Sequence, residues 1–501
     1  MWFRGWINNI ANNKKTSLQE ESFNPNAKGE VSKEAIVAYL QDVDDALIKD
    51  ISVGKGSATI VYIKSLVKME ILQELVITPL NTFENQDDPE EVLKISEKLA
   101  FDELPKLIEG VMSGLCIIIF YDRKSIYTID TFSPPVRNLT SSESESTVLG
   151  PQEAFIEALE SNFSLIKKRI RNPNLKTKVL LLGTETRNSV GVLYIRGIAN
   201  QENVQRVLYR LRNIEFMGFG GTAVLKQMLE DKPYSPFPQF GITQRVDAAV
   251  SALLDGRIVI FLNGSPEAAI CPTSFFEMFV SPEDYYNRWT TASLLRSLRF
   301  FGFFATIMLT PLYVSVLTYH PEVLPSTLLS LLMESRTKVP FPPVIEVLII
   351  ELVIEVLREA GARMPTKIGQ TIGIVGGIVI GTAAVDAGLA SNILIVLVAI
   401  SALLSFLPPN FLMSNGSRFI RYFFILAAAL YGFLGQMIAL AWLLAHLANL
   451  TSLGSPYMTP VIPRSATDLL DSVLRAPINF FIKRKGISRS KKELTRPTDE
   501  E

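Results

Sequence analysis

The chain has 501 residues, of which 48% are hydrophobic and 20% are charged, and its formal net charge is −1. This balance produces no global positive field, so we expect no nucleic-acid partner. Two distant cysteines and two histidines without nearby ligands predict buried free thiols at Cys116 and Cys271, no metal site and no cofactor.

Two unlike parts follow each other along the chain. Residues 1 to about 290 mix charges, short apolar runs and turns, whereas long apolar runs dominate residues 291–450. An apolar stretch of about 18 or more residues is a candidate membrane helix. The sequence therefore predicts a large soluble region and then an all-α, polytopic membrane domain of about four or five hydrophobic helices.

The soluble region contains one pattern twice. SATIVYIKSLVKMEILQELVITPL at 57–80 is similar to SVGVLYIRGIANQENVQRVLYRL at 189–211, and SGLCIIIFYDRKSIYTID at 113–130 is similar to DGRIVIFLNGSPEAAICP at 255–272. Each copy reads as strand, helix, helix and hairpin, which predicts two similar α/β subdomains.

We place the first subdomain at 31–140 and the second at 159–290, joined by a Ser- and Glu-rich linker at 141–158. Three prolines in DKPYSPFPQF, at 231–240, exclude a regular helix there. The N-terminal arm, 1–30, lacks the apolar core of a signal peptide, so we expect the soluble region to be cytoplasmic.

No catalytic constellation stands out in the soluble region. The sequence has no Gly-rich phosphate loop before a helix, no HExxH and no GxSxG elbow. The adjacent carboxylates, such as Asp44 and Asp45, lack a neighbouring base in sequence. We therefore expect that the protein is not an enzyme.

The first span is predicted at about 298–320, and the next apolar run, PFPPVIEVLIIELVIEVLREAGARMP at 340–365, carries carboxylates. At 100° per residue, three glutamates and two apolar residues fall on one stripe, whereas Glu346 points nearly the opposite way. The stripe consists of Val344, Leu348, Glu351, Glu355 and Glu359. A single such charge at the bilayer centre costs roughly 2.5–3.5 kcal/mol, so the stripe must avoid lipid tails.

Two interpretations of the stripe remain open. Several copies of the helix can surround a pore, so that stacked rings of carboxylate concentrate cations. Alternatively, the helix lies flat at the interface with its carboxylates in water. Because Glu359 can pair with Arg363 one turn later, Glu351 and Glu355 are the stronger candidates for contact with ions.

The following span, 366–388, has a glycine at every fourth position, which favours close packing against a second helix. The glycines are Gly369, Gly373, Gly377 and Gly381. Two further apolar stretches lie at 392–407 and 419–447, and we expect the polar Gln436 and His446 of the second to form interhelical hydrogen bonds.

The C-terminal tail, 451–501, is basic, which favours the cytoplasmic side near anionic lipid. Five crossings would leave that tail outside, so we expect one apolar stretch to be re-entrant or interfacial.

Several segments together resemble one known family, the A subunit of bacterial spore germinant receptors, the GerA family. In the membrane half, the resemblance lies in the run that begins at 340 and continues to 377, in SFLPPN (405–410) and in SLGSPYMTPVIP (452–463). In the soluble half, it lies in LIKKRIRNPNL (165–175), SPFPQFGITQRVD (235–247), LLDGRIVIFLNGSP (253–266) and SPEDYYNRW (281–289).

The resemblance implies a multi-pass receptor subunit in the inner spore membrane, with the soluble region on the spore-core side. It implies a transporter-like B subunit and a lipoprotein C subunit as partners, and assembly of several copies into a nutrient-gated cation channel that triggers germination. The alternative is a non-conducting membrane scaffold that transmits the signal in the same complex. A secondary transporter would predict paired repeats in the membrane half, and none is visible there.

Overall fold

The computed structural model describes residues 29–53, 56–81, 93, 96–132, 145, 149–363, 377, 379, 381–464, 466–469, 471–478 and 484–492, and all structural statements concern these residues.

The described part contains α/β structure first and long helices afterwards. The strands are β1 (Ala46–Val53), β2 (Gly56–Ile63), β3 (Glu97–Leu99), β4 (Leu115–Phe120), β5 (Ser125–Asp130), β6 (Leu175–Leu182), β7 (Asn188–Ile195), β8 (Gly241–Thr243), β9 (Ile258–Leu262), β10 (Ala268–Cys271), β11 (Thr451–Ser452) and β12 (Ser455–Pro456). The helices are α1 (Lys33–Leu40), α2 (Met69–Leu72), α3 (Thr78–Asn81), α4 (Leu104–Met112), α5 (Leu159–Arg169), α6 (Gln201–Arg212), α7 (Thr222–Leu229), α8 (Val246–Leu254), α9 (Glu283–Tyr286), α10 (Trp289–Tyr319), α11 (Ser326–Ser335), α12 (Pro343–Arg363), α13 (Asn392–Leu404), α14 (Phe411–Asn449) and α15 (Ala466–Leu469).

Two five-stranded sheets have the same topology. The strand order is β1-β2-β4-β5-β3 in the first sheet and β6-β7-β9-β10-β8 in the second. Each begins with an antiparallel hairpin, in which Ala46 pairs with Ile63 and Leu175 pairs with Ile195. The duplication predicted from the sequence, with two similar α/β subdomains, is therefore confirmed.

Apolar cores cover both faces of the first sheet because neighbouring residues of a strand point to opposite faces. Ile60 and Ile118 belong to one core cluster, and Val61 and Ile117 belong to the other. Cys116 and Cys271 are free thiols and buried, as predicted. Burial raises the pKa of Cys116 to about 12, so this thiol stays protonated and behaves as a small apolar side chain.

The chain divides into two compact units. The first comprises 1–140, 153–222 and 249–268, and the second comprises 141–152, 223–248 and 269–501. Within the first unit, the turn that precedes β1 meets basic side chains of the second subdomain. Asp42 pairs with Lys178 at 2.7 Å and with Arg196, and Asp45 pairs with the fully buried Lys167.

Among the described residues of the second unit, two helices are long and apolar enough to cross a membrane, α10 and α14, and α13 is a shorter apolar helix. Gly432 interrupts α14 with φ 58° and ψ −135°, a conformation that no helix contains. The rings of Phe423 and Trp442 lie 5.0 Å apart, although a straight helix would separate them by about 28 Å. The stretch that reads as one long span is therefore a hairpin, with arms at 411–431 and 433–449.

The base of this hairpin contacts the proline-rich loop 231–240, which is not helical, as predicted. Lys232 Nζ donates to the Asn449 carbonyl at 2.8 Å, and Ser235 Oγ lies 3.0 Å from His446 Nε2. His446 thus contacts a loop, whereas Gln436 Nε2 forms the expected interhelical bond, to Ser315 Oγ of α10 at 2.7 Å.

The tail returns to the start of α10. Arg296 Nη1 lies 2.8 Å from Asp471 Oδ1, and Ser293 Oγ donates to the Arg475 carbonyl at 2.8 Å. Burial raises the pKa of Asp471, but the attraction of Lys485 and Arg296 outweighs it and lowers the pKa to about 2. The residues after the hairpin therefore pack beside the residues at which the helical region begins.

Candidate site in the apolar helices

Helix α12 carries the three glutamates of the predicted stripe and also Glu346, which was predicted on the opposite face. It begins at Pro343, where a residue without an amide hydrogen is tolerated because the first helical amides have no partner. Its buried residues Val347 and Ile350 join an apolar cluster with residues of α10, α13 and α14. The helix is thus packed within the bundle on one side.

Glu351 is fully buried and pairs with a fully buried arginine of the hairpin. Its Oε2 lies 2.7 Å from Nη2 of Arg421, and Arg421 Nη1 donates to Ser401 Oγ at 2.9 Å. Attraction between the charges holds the pair, because the two atoms lack the alignment of a hydrogen bond. The pair joins α12 to the first hairpin arm.

Glu355 lies one turn further along and is partly exposed, with 36% of its side chain accessible. Its Oε1 accepts from Arg418 Nη1 at 2.5 Å, and its Oε2 is 3.9 Å from Arg358 Nη1. Arg358 Nη2 donates to Ser405 Oγ at 3.0 Å, and its guanidinium lies 4.4 Å from the ring centre of Phe406. We call Glu351, Glu355, Arg358, Arg418 and Arg421 the Arg–Glu cluster.

The remaining members of the predicted stripe lie in different environments. Glu359 is exposed and pairs with Arg363 at 2.5 Å, so the predicted contact one turn later is confirmed. Val344 and Leu348 are half-buried and pack against the apolar cluster of their own chain. The stripe thus turns from the interior at Glu351 to the surface at Glu359, and its role as a pore lining stays a prediction.

Glu346, which the helical wheel placed on the opposite face, is also fully buried. Its Oε1 accepts from the Ser391 amide at 2.7 Å, at the N-terminus of α13, and its Oε2 accepts from Arg336 Nε at 3.0 Å. The Tyr313 hydroxyl of α10 lies 3.4 Å from Oε2. One carboxylate therefore ties α12 to α10, to α13 and to the residue after α11.

The sequence interpretation missed the arginines of the Arg–Glu cluster. Their signal is present, because Arg418 and Arg421 stand in an otherwise apolar stretch, and intramembrane charges usually pair with each other. What the sequence does not give is the register between α12 and α14 that brings these charges together.

The predicted glycine face falls partly outside the described residues, which include neither Gly369 nor Gly373. A Cβ added at Gly377 would meet no atom within 4 Å, and one at Gly381 would reach Ile395 at 4.0 Å. The packing role of these glycines therefore stays a prediction.

A duplicated α/β region followed by apolar helices with buried ion pairs defines a class of two-part proteins with a candidate membrane region. The family described as "Bacillus/Clostridium GerA spore germination protein" matches residues 34–487, and the chain belongs to this family. The resemblance seen in the sequence is thus confirmed.

Named relatives cover most of the chain. It is 39% identical to "Spore germination protein GerQA" of Bacillus cereus over 92% of this chain and 93% of that protein. It is 39% identical to "Spore germination protein A1" of Bacillus subtilis (strain 168), over 74% of this chain and 77% of that protein. It is 31% identical to "Uncharacterized membrane protein YfkQ" of the same strain, over 93% of this chain and 92% of that protein.

Among solved structures, the chain matches the crystal structure of the N-terminal domain of the A subunit of the Bacillus megaterium spore germinant receptor GerK3. The TM-score is 0.38 and the identity 23%, over 50% of this chain and 98% of that one.

Proposed function

We propose that this chain is the membrane subunit of a nutrient receptor that triggers spore germination and that several copies form a ligand-gated cation channel. Membership of the spore germination family supports the role in germination. In this proposal the chain spans the inner spore membrane, its α/β region faces the spore core, and its partners are a transporter-like B subunit and a lipoprotein C subunit.

The observation that carries the channel proposal is the outward face of α12. Leu352 and Val356 are 61% and 60% exposed, and Glu359 and Glu355 share that side with 64% and 36% of their side chains exposed. Carboxylates at the surface of an apolar bundle are costly against lipid. A ring of copies would turn this face towards a water-filled centre, where carboxylates favour cations.

Glu351 enters this proposal differently. In the described arrangement its carboxylate is closed to water and paired with Arg421, and Val344 and Leu348 pack inward. We assign this arrangement to the closed state, in which Glu351 contacts no ion. Germinant binding to the B subunit would then favour a second arrangement in which α12 turns and Arg421 releases Glu351.

The second candidate is a non-conducting scaffold within the same receptor. It is favoured by the pairing of Glu351 and Glu355 with arginines of their own chain, which leaves little negative charge to attract a cation. In that case the buried pairs hold the bundle together, and ions leave through another protein.

The test uses the receptor complex of the full chain with its B and C subunits in liposomes, with germinant-triggered potassium flux and the number of copies of this chain per particle as readouts. The double variant Glu355→Gln, Glu359→Gln should lower the cation flux at least several-fold while ring formation is retained. The matched control is Glu322→Gln, because Glu322 is 72% exposed in the turn after α10. A single copy per particle, or equal flux in all variants, would support the scaffold.

A further inference from the structure

The Arg–Glu cluster is not neutral. It contains three guanidinium groups and two carboxylates, and it is closed to solvent at its centre, where Arg421 and Glu351 are both 0% exposed. Arg418 and Arg358 are only 12% and 15% exposed. Residues 364–376 follow α12 in the chain and contain no aspartate or glutamate in their sequence. One positive charge is therefore left without a compensating side chain in the cluster.

The same three arginines keep N–H groups that donate to no acceptor in the part of the chain that the structure describes. Nε of Arg418, Nε of Arg421 and Nη1 of Arg358 are buried and have no hydrogen-bond partner among the described residues. A buried donor without a partner destabilises the folded protein, and more so when the group is charged. The excess positive charge and the unpartnered N–H groups thus belong to the same cluster, and the N–H groups are those of its three arginines.

We propose that the Arg–Glu cluster binds one small monovalent anion, of the chloride type, on its guanidinium side. Such an anion would compensate the excess charge and accept from the unpartnered N–H groups. A single atomic ion needs much less space beside these buried atoms than a phospholipid head group does. Glu351 Oε1 and Glu355 Oε2 are also buried without a hydrogen-bond partner among the described residues, and in this proposal they would accept from ordered water.

The site requires only the described arrangement of α12, α13 and α14, and it does not depend on ion conduction by the chain. Because the anion binds only the folded arrangement, it should stabilise the protein by mass action. The first measurement is the thermal unfolding midpoint of the full chain in detergent, while sodium chloride replaces sodium gluconate at constant ionic strength. We expect a saturable rise of a few degrees.

Two variants change the charge balance in opposite directions. Arg358→Gln leaves two arginines against two glutamates, so the chloride-dependent rise should disappear. Glu355→Gln removes one of the two carboxylates, so the chloride concentration for half of the rise should fall about threefold or more. Arg363→Gln is the matched control, because Arg363 is on the same helix, 79% exposed and outside the cluster.

The chloride titration of the wild-type chain tests the anion site even where a variant fails to fold. An unfolding midpoint that does not depend on the anion at constant ionic strength would mean that the cluster holds water only, and the proposal would be wrong. An identical chloride dependence in Arg358→Gln, Arg363→Gln and wild type would mean a general salt effect and would also overturn it.

Discussion

At the scale of single residues, two of the ion pairs of α12 differ in what surrounds them. Glu351 and Arg421 are both closed to solvent, whereas Glu359 and Arg363 keep 64% and 79% of their side chains exposed. Removal of one partner from a buried pair leaves an uncompensated charge in a medium that solvates it poorly. The same change on the surface leaves a charge that water solvates.

We therefore expect Arg421→Gln to lower the free energy of unfolding by about 3–5 kcal/mol. The double variant Glu351→Gln, Arg421→Gln should recover most of that loss, because it buries no charge at this position. Denaturant unfolding of the full chain in detergent would measure the coupling between the two residues. Arg363→Gln should change the midpoint little, and equal losses in Arg421→Gln and Arg363→Gln would contradict a buried pair.

Lys176 in the α/β region gives a prediction on pH. It is 2% exposed and donates to the Tyr39 carbonyl at 2.8 Å, and burial together with the nearby Arg196 lowers its pKa from 10.5 to about 8. Between these two pKa values the unfolded chain binds more protons than the folded chain, so stability contributed by this group rises with pH. Below pH 8 the full penalty for burying the charge applies.

Lys176→Met should therefore stabilise the protein at pH 7 by up to about 3 kcal/mol, and the advantage should shrink as the pH rises from 8 towards 10.5. The measurement is the difference in unfolding free energy between variant and wild type across that range. Lys49→Met, at an exposed position of β1, is the control. A difference that stays constant with pH would show that Lys176 does not titrate in this window.

At the scale of elements, α14 depends on one residue for its reversal. Gly432 has φ 58° and ψ −135°, and a Cβ there would come within 2.9 Å of His320 Nε2 and 3.0 Å of Tyr319 Cβ. Gly432→Ala should thus cost about 1–3 kcal/mol in backbone strain, with a further loss from the clash. The yield of monodisperse protein and its unfolding midpoint would measure this.

The matched control is Gly361→Ala in α12, where an added Cβ meets no atom within 4 Å. Alanine is the better helix former, so this variant should be neutral or slightly more stable. If both alanine variants behaved alike, Gly432 would not be the point of reversal.

The hairpin itself can be tested by cross-linking. Phe423 and Trp442 face each other across the two arms, with ring centres 5.0 Å apart. Cysteines at both positions should form a disulfide on mild oxidation and change the gel mobility of the full chain. Phe423→Cys alone should not, because Cys116 and Cys271 are buried. Failure to cross-link would favour a continuous helix of about 58 Å.

The elements differ in how far the sequence predicts them. The duplicated sheets are predictable because their strands carry long β-branched runs bounded by turn residues, as in SGLCIIIF and DGRIVIFL. The reversal in α14 cannot be predicted from the sequence, because Gly432 stands in an unbroken apolar stretch and glycine is common in membrane helices. The partners of Glu346 and Glu351 depend on how helices far apart in sequence are rotated against one another, which a helical wheel of one segment does not contain.

At the scale of the whole molecule, the two compact units each combine stretches that are far apart in sequence. Residues 223–248 belong with the long helices rather than with the rest of the second sequence repeat. Within that unit, Gly416 of α14 lies against the Pro236 carbonyl, and the Tyr457 hydroxyl donates to the Pro238 carbonyl at 2.6 Å. The proline-rich loop thus links the hairpin base with the tail.

The reversal at Gly432 also decides where the chain leaves its helices. The last arm ends at Asn449 beside Lys232, and Arg475 lies against Ser293 in the first turns of α10. The tail and the first turns of α10 therefore lie in direct contact. A force or a new charge on the tail acts on α10 over a distance of a few ångströms. If the long helices cross a bilayer, a change in the tail could reach α10 through this contact without passing through the membrane-spanning part of the helices.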